Sequence, residues 1–245
     1  MNEYADAMIS FGAGVNSVAM TIMLVEQGWR GPVVMADPGA EHPETYCYVK
    51  YFEREYLKPR GMEITCLLPG SEYHSNKAST SLEDYCLRAG VVPFLAMRWC
   101  SVWWKRDPIG RWAKDHDIDI QLLGISASEP RRVRDDSALK YPLVEASVNR
   151  PECRRVIQRA GLEVPHKSGC WFCPGQRIAE WQRLYHDYPV LYDRAIALED
   201  NASKIRGRRV TLDPRDVSLR EHRERRWQGQ AQMDLSQWLP CACRL

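Results

Sequence analysis

Ser10-Phe11-Gly12-Ala13-Gly14-Val15-Asn16-Ser17 is a run of small residues set between two apolar segments. Before it, Ala7-Met8-Ile9 reads as a short buried strand. After it, Val18, Met20, Ile22, Met23, Leu24 and Val25 mark an apolar helix that stops near Gly28. Strand, glycine loop and helix in that order leave unpaired N–H groups at the helix N-terminus, where the macrodipole also favours negative charge. Gly12 and Gly14 allow a close backbone approach to an anion, and Asn16 and Ser17 add polar side chains. These are the requirements for holding phosphate, although a plain strand-to-helix turn would use similar residues. The loop has neither the third glycine of the dinucleotide fingerprint nor the Gly-Lys-Ser/Thr of the Walker loop.

A chain of 245 residues can bury a full core as one domain with an appendage. Hydrophobic residues make up 44% and no apolar run approaches the ~20 residues of a membrane-crossing helix, which is the composition of a globular protein outside the membrane. The acidic start, Met1 to Asp6, has no signal-peptide pattern, so a cytoplasmic location is expected. Nine cysteines in such a setting point to metal or redox chemistry rather than a disulfide framework. Net charge is only +2, but residues 204–226 hold nine Lys/Arg against four Asp/Glu. That stretch is either a solvated face laced with ion pairs or a surface for a nucleic-acid backbone.

Strand and helix signals alternate through the first two-thirds. Strands are expected at Pro32–Asp37, Met62–Leu68 and Ile118–Ile125, with helices at Pro43–Leu57 and Ile109–His116 and a polar, mobile segment from Gly70 to Ser81. The alternation predicts an α/β fold with a doubly wound, mainly parallel sheet whose ligands sit beyond the carboxyl ends of the strands. From about Asn149 helices follow one another, at Arg150–Ala160, Gln176–His186 and Val190–Asp200. The division expected is a nucleotide-binding α/β domain over 1–148 and a helical, cysteine-bearing C-terminal extension over 149–245.

Four runs share a resemblance. The opening loop resembles the Ser-Gly-Gly-x-Asp-Ser loop of the adenine nucleotide α-hydrolase-like (pyrophosphate-loop) superfamily, which includes the phosphoadenosine phosphosulfate (PAPS) reductases; Gly12 replaces its first serine and Asn16 its aspartate. Asp37-Pro38-Gly39-Ala40-Glu41-His42-Pro43-Glu44-Thr45 is similar to the Asp-Thr-Gly-x-Glu-x-Pro-Glu-Thr run of the same relatives. Arg98, Cys100, Lys105 and Pro108 fit the Arg-x-Cys-Cys-x-x-Arg-Lys-x-x-Pro segment of iron-sulfur sulfonucleotide reductases, with Ser101 and Trp104 departing from it. Gly169-Cys170-Trp171-Phe172-Cys173-Pro174 carries a Cys-x-x-Cys knuckle able to place two thiolates on one metal.

The resemblance implies an adenine nucleotide (ATP, or PAPS itself) bound by Ser10, Gly12, Ala13, Gly14, Asn16, Ser17, Asp37, Glu41 and Arg98, with Mg2+ as an optional companion. It implies Lys105, Asn16 and Cys100 as catalytic candidates. Cys100, Cys153, Cys170 and Cys173 become the expected ligands of a [4Fe-4S] cluster, preferred over zinc, with Cys241 and Cys243 next in line. Cys47, Cys66 and Cys86 read as small core residues. The leading expectation is ATP-dependent, adenylylating sulfur transfer to tRNA or DNA held by the basic segment 204–226. The alternatives are a sulfonucleotide reductase releasing sulfite and a non-catalytic nucleotide- or nucleic-acid-binding module. A sulfur donor or thiol reductant protein and a second copy of the chain are the further partners expected.

Overall fold

The computed structural model describes residues 4–75 and 78–224. Five strands, β1 (Ala7–Ser10), β2 (Val33–Ala36), β3 (Ile64–Leu67), β4 (Ile120–Leu123) and β5 (Leu139–Lys140), form one sheet in the order β3-β2-β1-β4-β5. Every pairing is parallel; Ile9 lies beside Val33 on one side and Leu122 on the other. Among the described residues ten α-helices are interleaved: α1 (Val15–Glu26), α2 (Pro43–Phe52), α3 (Leu82–Ala89), α4 (Trp99–Ser101), α5 (Asp107–Asp115), α6 (Pro142–Glu145), α7 (Arg150–Arg159), α8 (Ile178–Asp187), α9 (Pro189–Arg206) and α10 (Leu219–His222). Wider helical turns extend α2 to Leu57 and join α4 to α5. Among the described residues no helix is long and apolar enough to cross a membrane.

The central strands β1 and β2 are buried on both faces, which is why they are nearly continuously apolar, whereas the outer β3, with Thr65 half-buried and Cys66 exposed, is not. Ala7, Ile9, Val33 and Met35 pack with α1, α2 and α7, whereas Met8, Val34 and Ala36 pack with Ile109, Trp112 and Ala113 of α5. Period-two alternation thus sorts one run of apolar residues between two helix layers. This is the doubly wound α/β fold expected from the sequence.

A further core lies beside the sheet, built by Trp171, Phe172, Trp181, Tyr192 and Leu198 together with Leu82 and Cys86 of α3 and with Trp104. The cores exchange elements across residue 148. The helix α7 joins α1 through Cys153 and Ile157, while α3 and Trp104 from the first half join α8 and α9. The strand order reverses between β1 and β4, so the crevice at their carboxyl ends is the topological switch point where ligands of such sheets sit.

Candidate functional site

The loop after β1 is built for close approach. Ala13 takes a left-handed φ of 53° and Gly14 caps α1 with no side-chain acceptor. The first turn of α1 contains no acidic residue, so its outward N–H groups are left for an anion. Ser17 donates its hydroxyl back to the Gly14 carbonyl at 3.1 Å, and the Asn16 amide donates to Glu129 at 2.8 Å.

Two walls close on this loop that no motif announced. Gly124, just past β4, lies so near that a Cβ there would come 2.7 Å from Ser17 N. A Cβ on Gly14 would come 2.9 Å from Ser168 Oγ, which sets the Cys-x-x-Cys knuckle against the phosphate-type loop. Glu129 and Ser168 are chain neighbours of recognisable features, but nothing in their spacing points to Asn16 or Gly14.

The turn after β2 is tied to the same knuckle. Asp37 accepts from the Gly39 N–H and the Tyr46 hydroxyl, both at 2.8 Å, which shapes a turn where Gly39 has φ +65°. Burial pushes the Asp37 carboxyl above its ordinary range despite those bonds. Beyond it, Glu41 pairs with Cys170 in an antiparallel bridge, Trp171 N–H donates to the Ala40 carbonyl at 3.0 Å, and His42 N–H donates to the Gly169 carbonyl at 3.0 Å. Asp37 and Glu41 are almost fully buried, so the turn is a designed wall rather than an exposed acidic cap.

Lys105 does not stand free as a phosphate contact: it forms an ion pair with the buried Glu41 carboxylate. Burial alone would lower the ammonium, but Glu41 and the nearby Cys170 and Cys173 thiols outweigh it and hold Lys105 above its usual value. The Cys170 thiol is pushed well up, first by burial and then by Glu41, with Lys105 opposing. Cys100 is raised by burial and by Cys173. The Cys173 N–H donates to the Cys170 carbonyl at 3.1 Å, a tight turn that keeps the pair together, and the Gly175 N–H donates to Cys173 Sγ at 3.4 Å. Arg98, at the start of α4, is exposed with a left-handed φ of 48°. A cavity of about 80 Å³ opens beside His42, Lys167, Ser168, Cys170 and Arg183, room for a small oxyanion but not for a nucleotide.

Cys153 is placed elsewhere. It is fully buried in the α1–α7 core, where desolvation raises its thiol to about 11. The reason is its register on α7: with Ile157 it supplies the apolar stripe facing α1. Cys86 takes the expected core position, fully buried in α3 near Cys100, whereas Cys66 is exposed on β3. Cys241 and Cys243 lie outside the described residues. Among the described residues no three His, Cys, Asp or Glu side chains are arranged to hold a metal ion. Cys100, Cys170 and Cys173 influence one another electrostatically, whereas Cys153 stands apart from them in the α1–α7 core.

The basic stretch is largely neutralised within the described residues. Arg209 pairs with Glu221 and Asp216, Arg215 with Asp213, Arg220 with Asp200 and Arg223 with Asp193. That is the ion-paired face of the two alternatives read from the sequence; residues 225 and 226 lie outside the described residues.

No curated protein matches the chain. A crystal structure of phosphoadenylyl-sulfate (PAPS) reductase from Candida auris, a phosphate complex, is similar at a TM-score of 0.49 and 15% identity, covering 69% of this chain and 83% of that one. Residues 6–141, more than half of the chain and including the β1 loop, the Asp37–Glu41 turn and Lys105, match the phosphoadenosine phosphosulfate reductase domain, and the chain belongs to that family.

Proposed function

We propose that the chain is an enzyme of adenine-nucleotide sulfur chemistry, and that the reaction its geometry supports best is reduction of a sulfonucleotide. The observation that carries this reading is the contact between the loop after β1 and the thiol knuckle at Gly14 and Ser168, with the turn after β2 joining the same knuckle at Glu41 and Cys170. A nucleotide held by its phosphates at residues 12–17 presents its terminal groups to Cys100, Cys170 and Cys173.

In this reading a thiolate attacks the sulfonate sulfur and the bond from that sulfur to the bridging phosphate oxygen breaks. The nucleotide leaves with the electron pair, and an S-sulfocysteine remains. A second thiolate attacks the cysteine sulfur, expels sulfite and forms a disulfide, which an external dithiol reduces. The Cys170–Cys173 turn supplies two thiols within electrostatic reach of each other for that step. Lys105 and Glu41 set the charge beside them: the ammonium favours a thiolate, and the carboxylate limits how early it forms.

Adenylylating sulfur transfer to a nucleic acid remains the second reading, supported by one observation. Arg131 and Arg134 are exposed on the loop that Glu129 anchors to Asn16, so a polyanionic acceptor would meet basic side chains at the crevice mouth. The 204–224 stretch supports it less, because carboxylates there already occupy the arginines.

Incubation with PAPS and a dithiol, and separately with ATP, sulfide and tRNA or DNA, separates the two. Sulfite release that disappears in Cys170→Ser or Cys173→Ser is expected. Pyrophosphate and thiolated nucleic acid without sulfite would overturn the reductase assignment in favour of the transferase.

A further inference from the structure

Where relatives carry an aspartate, this chain has Asn16, and the structure shows what the amide does. Asn16 is 7% exposed, and its amide nitrogen lies 2.8 Å from Glu129 Oε2. The same carboxylate accepts from Ser126 Oγ at 3.1 Å and from Arg132 at 2.7 Å. Burial would raise the Glu129 carboxyl, but the Arg132 and Ser126 bonds outweigh it and hold it below its ordinary range, so it is ionised at neutral pH.

An ionised carboxylate only accepts hydrogen bonds, which fixes the orientation of the amide: the nitrogen must face Glu129 and Oδ1 must face away. Asn16 Oδ1 is buried and meets no donor among the described residues. The pair thus keeps one acceptor unsatisfied until something enters the crevice. An aspartate at this position would set two carboxylates against each other beside the loop, a like-charge contact that a bridging cation or a shared proton relieves.

We infer that Asn16 and Glu129 act as one unit, with Glu129 the positioning residue that fixes the phosphate-type loop against the loop following β4 and makes nucleotide binding there independent of a divalent cation. The negative charge has moved from the loop to its neighbour, where Arg132 and Ser126 already satisfy it. The amide that remains on the loop carries no net charge to set against a phosphate and offers Mg2+ only a neutral oxygen. This inference rests on the nucleotide assignment above.

The test uses the full-length protein, ATP as the probe, and the variants Asn16→Asp, Glu129→Ala and Asn16→Asp/Glu129→Gln. Titration of the parent chain should give the same ATP affinity, within about twofold, in EDTA and in Mg2+. In EDTA, Asn16→Asp should weaken binding by about tenfold or more, and Mg2+ should recover much of that loss. Glu129→Ala should weaken binding in both conditions. The double variant, which swaps amide and carboxylate, should bind more tightly in EDTA than Asn16→Asp alone.

Thermal unfolding without ligand gives a separate readout: Asn16→Asp should lower Tm and the swap should restore it, because the pair joins two loops whether or not a nucleotide is bound. Binding by the parent chain that requires Mg2+, or a swap no better than Asn16→Asp in both readouts, would overturn the inference. If neither ATP nor PAPS binds the parent chain while the Tm pattern appears, the nucleotide assignment fails and the pairing stands.

Discussion

At the scale of single residues, the crevice depends on backbone that tolerates no added atoms. Gly39 combines φ +65° with a hypothetical Cβ only 2.9 Å from Ser81 Cβ and 3.2 Å from Pro69 Cγ. Gly39→Ala should therefore cost about 1–3 kcal/mol in urea unfolding, through left-handed strain plus the clash. An unchanged midpoint would mean that the turn relaxes freely. Asp37, Gly39 and Glu41 were legible in the sequence because a short motif places them at a strand end, and Lys105 because a second motif carries it in the helical turn between α4 and α5. The pairing of Lys105 with Glu41 was not, since 64 residues separate them and only the fold brings them together. Glu129, Gly124 and Ser168 escaped for a related reason: each acts through a contact with the loop at residues 14–17, and no spacing along the chain encodes such a contact. Cys153 misled because a thiol in a sequence carries no mark of whether its helix turns it toward a site or toward a core.

At the scale of elements, β1 to β4 were located through their short apolar runs, whereas the two-residue β5 was not expected at all, and proline marked the starts of α2, α5 and α7. The helix α3 was not foreseen; its N-cap Ser81, whose side chain accepts from Asp84 N at 3.1 Å, is the last residue of the polar stretch read as loop. The Arg98–Arg106 segment depends most on tertiary packing. Trp104 is buried in the core shared with α3, α8 and α9, and this anchors the adjoining Lys105 at the site. Its indole N–H is buried with no acceptor among the described residues. Trp104→Phe removes that unpaired donor and keeps most of the volume, so a loss below about 1.5 kcal/mol is expected. Trp104→Ala should cost about 3–5 kcal/mol. Equal losses for both variants in denaturant titration would show that the ring does not fill that core.

At the scale of the whole molecule, the sheet and the helical portion are joined by shared cores and by buried polar anchors, a division of labour that local sequence patterns do not reveal. Glu199 of α9 is such an anchor: its carboxylate oxygens accept from Leu212 N at 2.7 Å and Leu219 N at 2.8 Å, tying the 212–219 segment and α10 to α9. Burial pushes this carboxyl up to about 7 from the ordinary 4.5, against the two backbone bonds. A raised acid holds its proton more tightly when folded, so its stabilising contribution is complete below pH 4.5 and fades as pH rises through about 7. Relative to Glu199→Gln, the parent chain should lose stability between pH 5 and pH 8; a flat difference or a gain would contradict the buried-carboxyl account. The central claim, that the amides at the start of α1 grip the polyanionic part of an adenine nucleotide, is tested most directly by titrating ATP and adenosine into the parent chain and Gly124→Ala. The account predicts that ATP binds far more tightly than adenosine and that the added methyl, forced to within 2.7 Å of Ser17 N, weakens ATP by about tenfold or more. Equal affinity for ATP and adenosine, or ATP binding unaltered by the substitution, would contradict it.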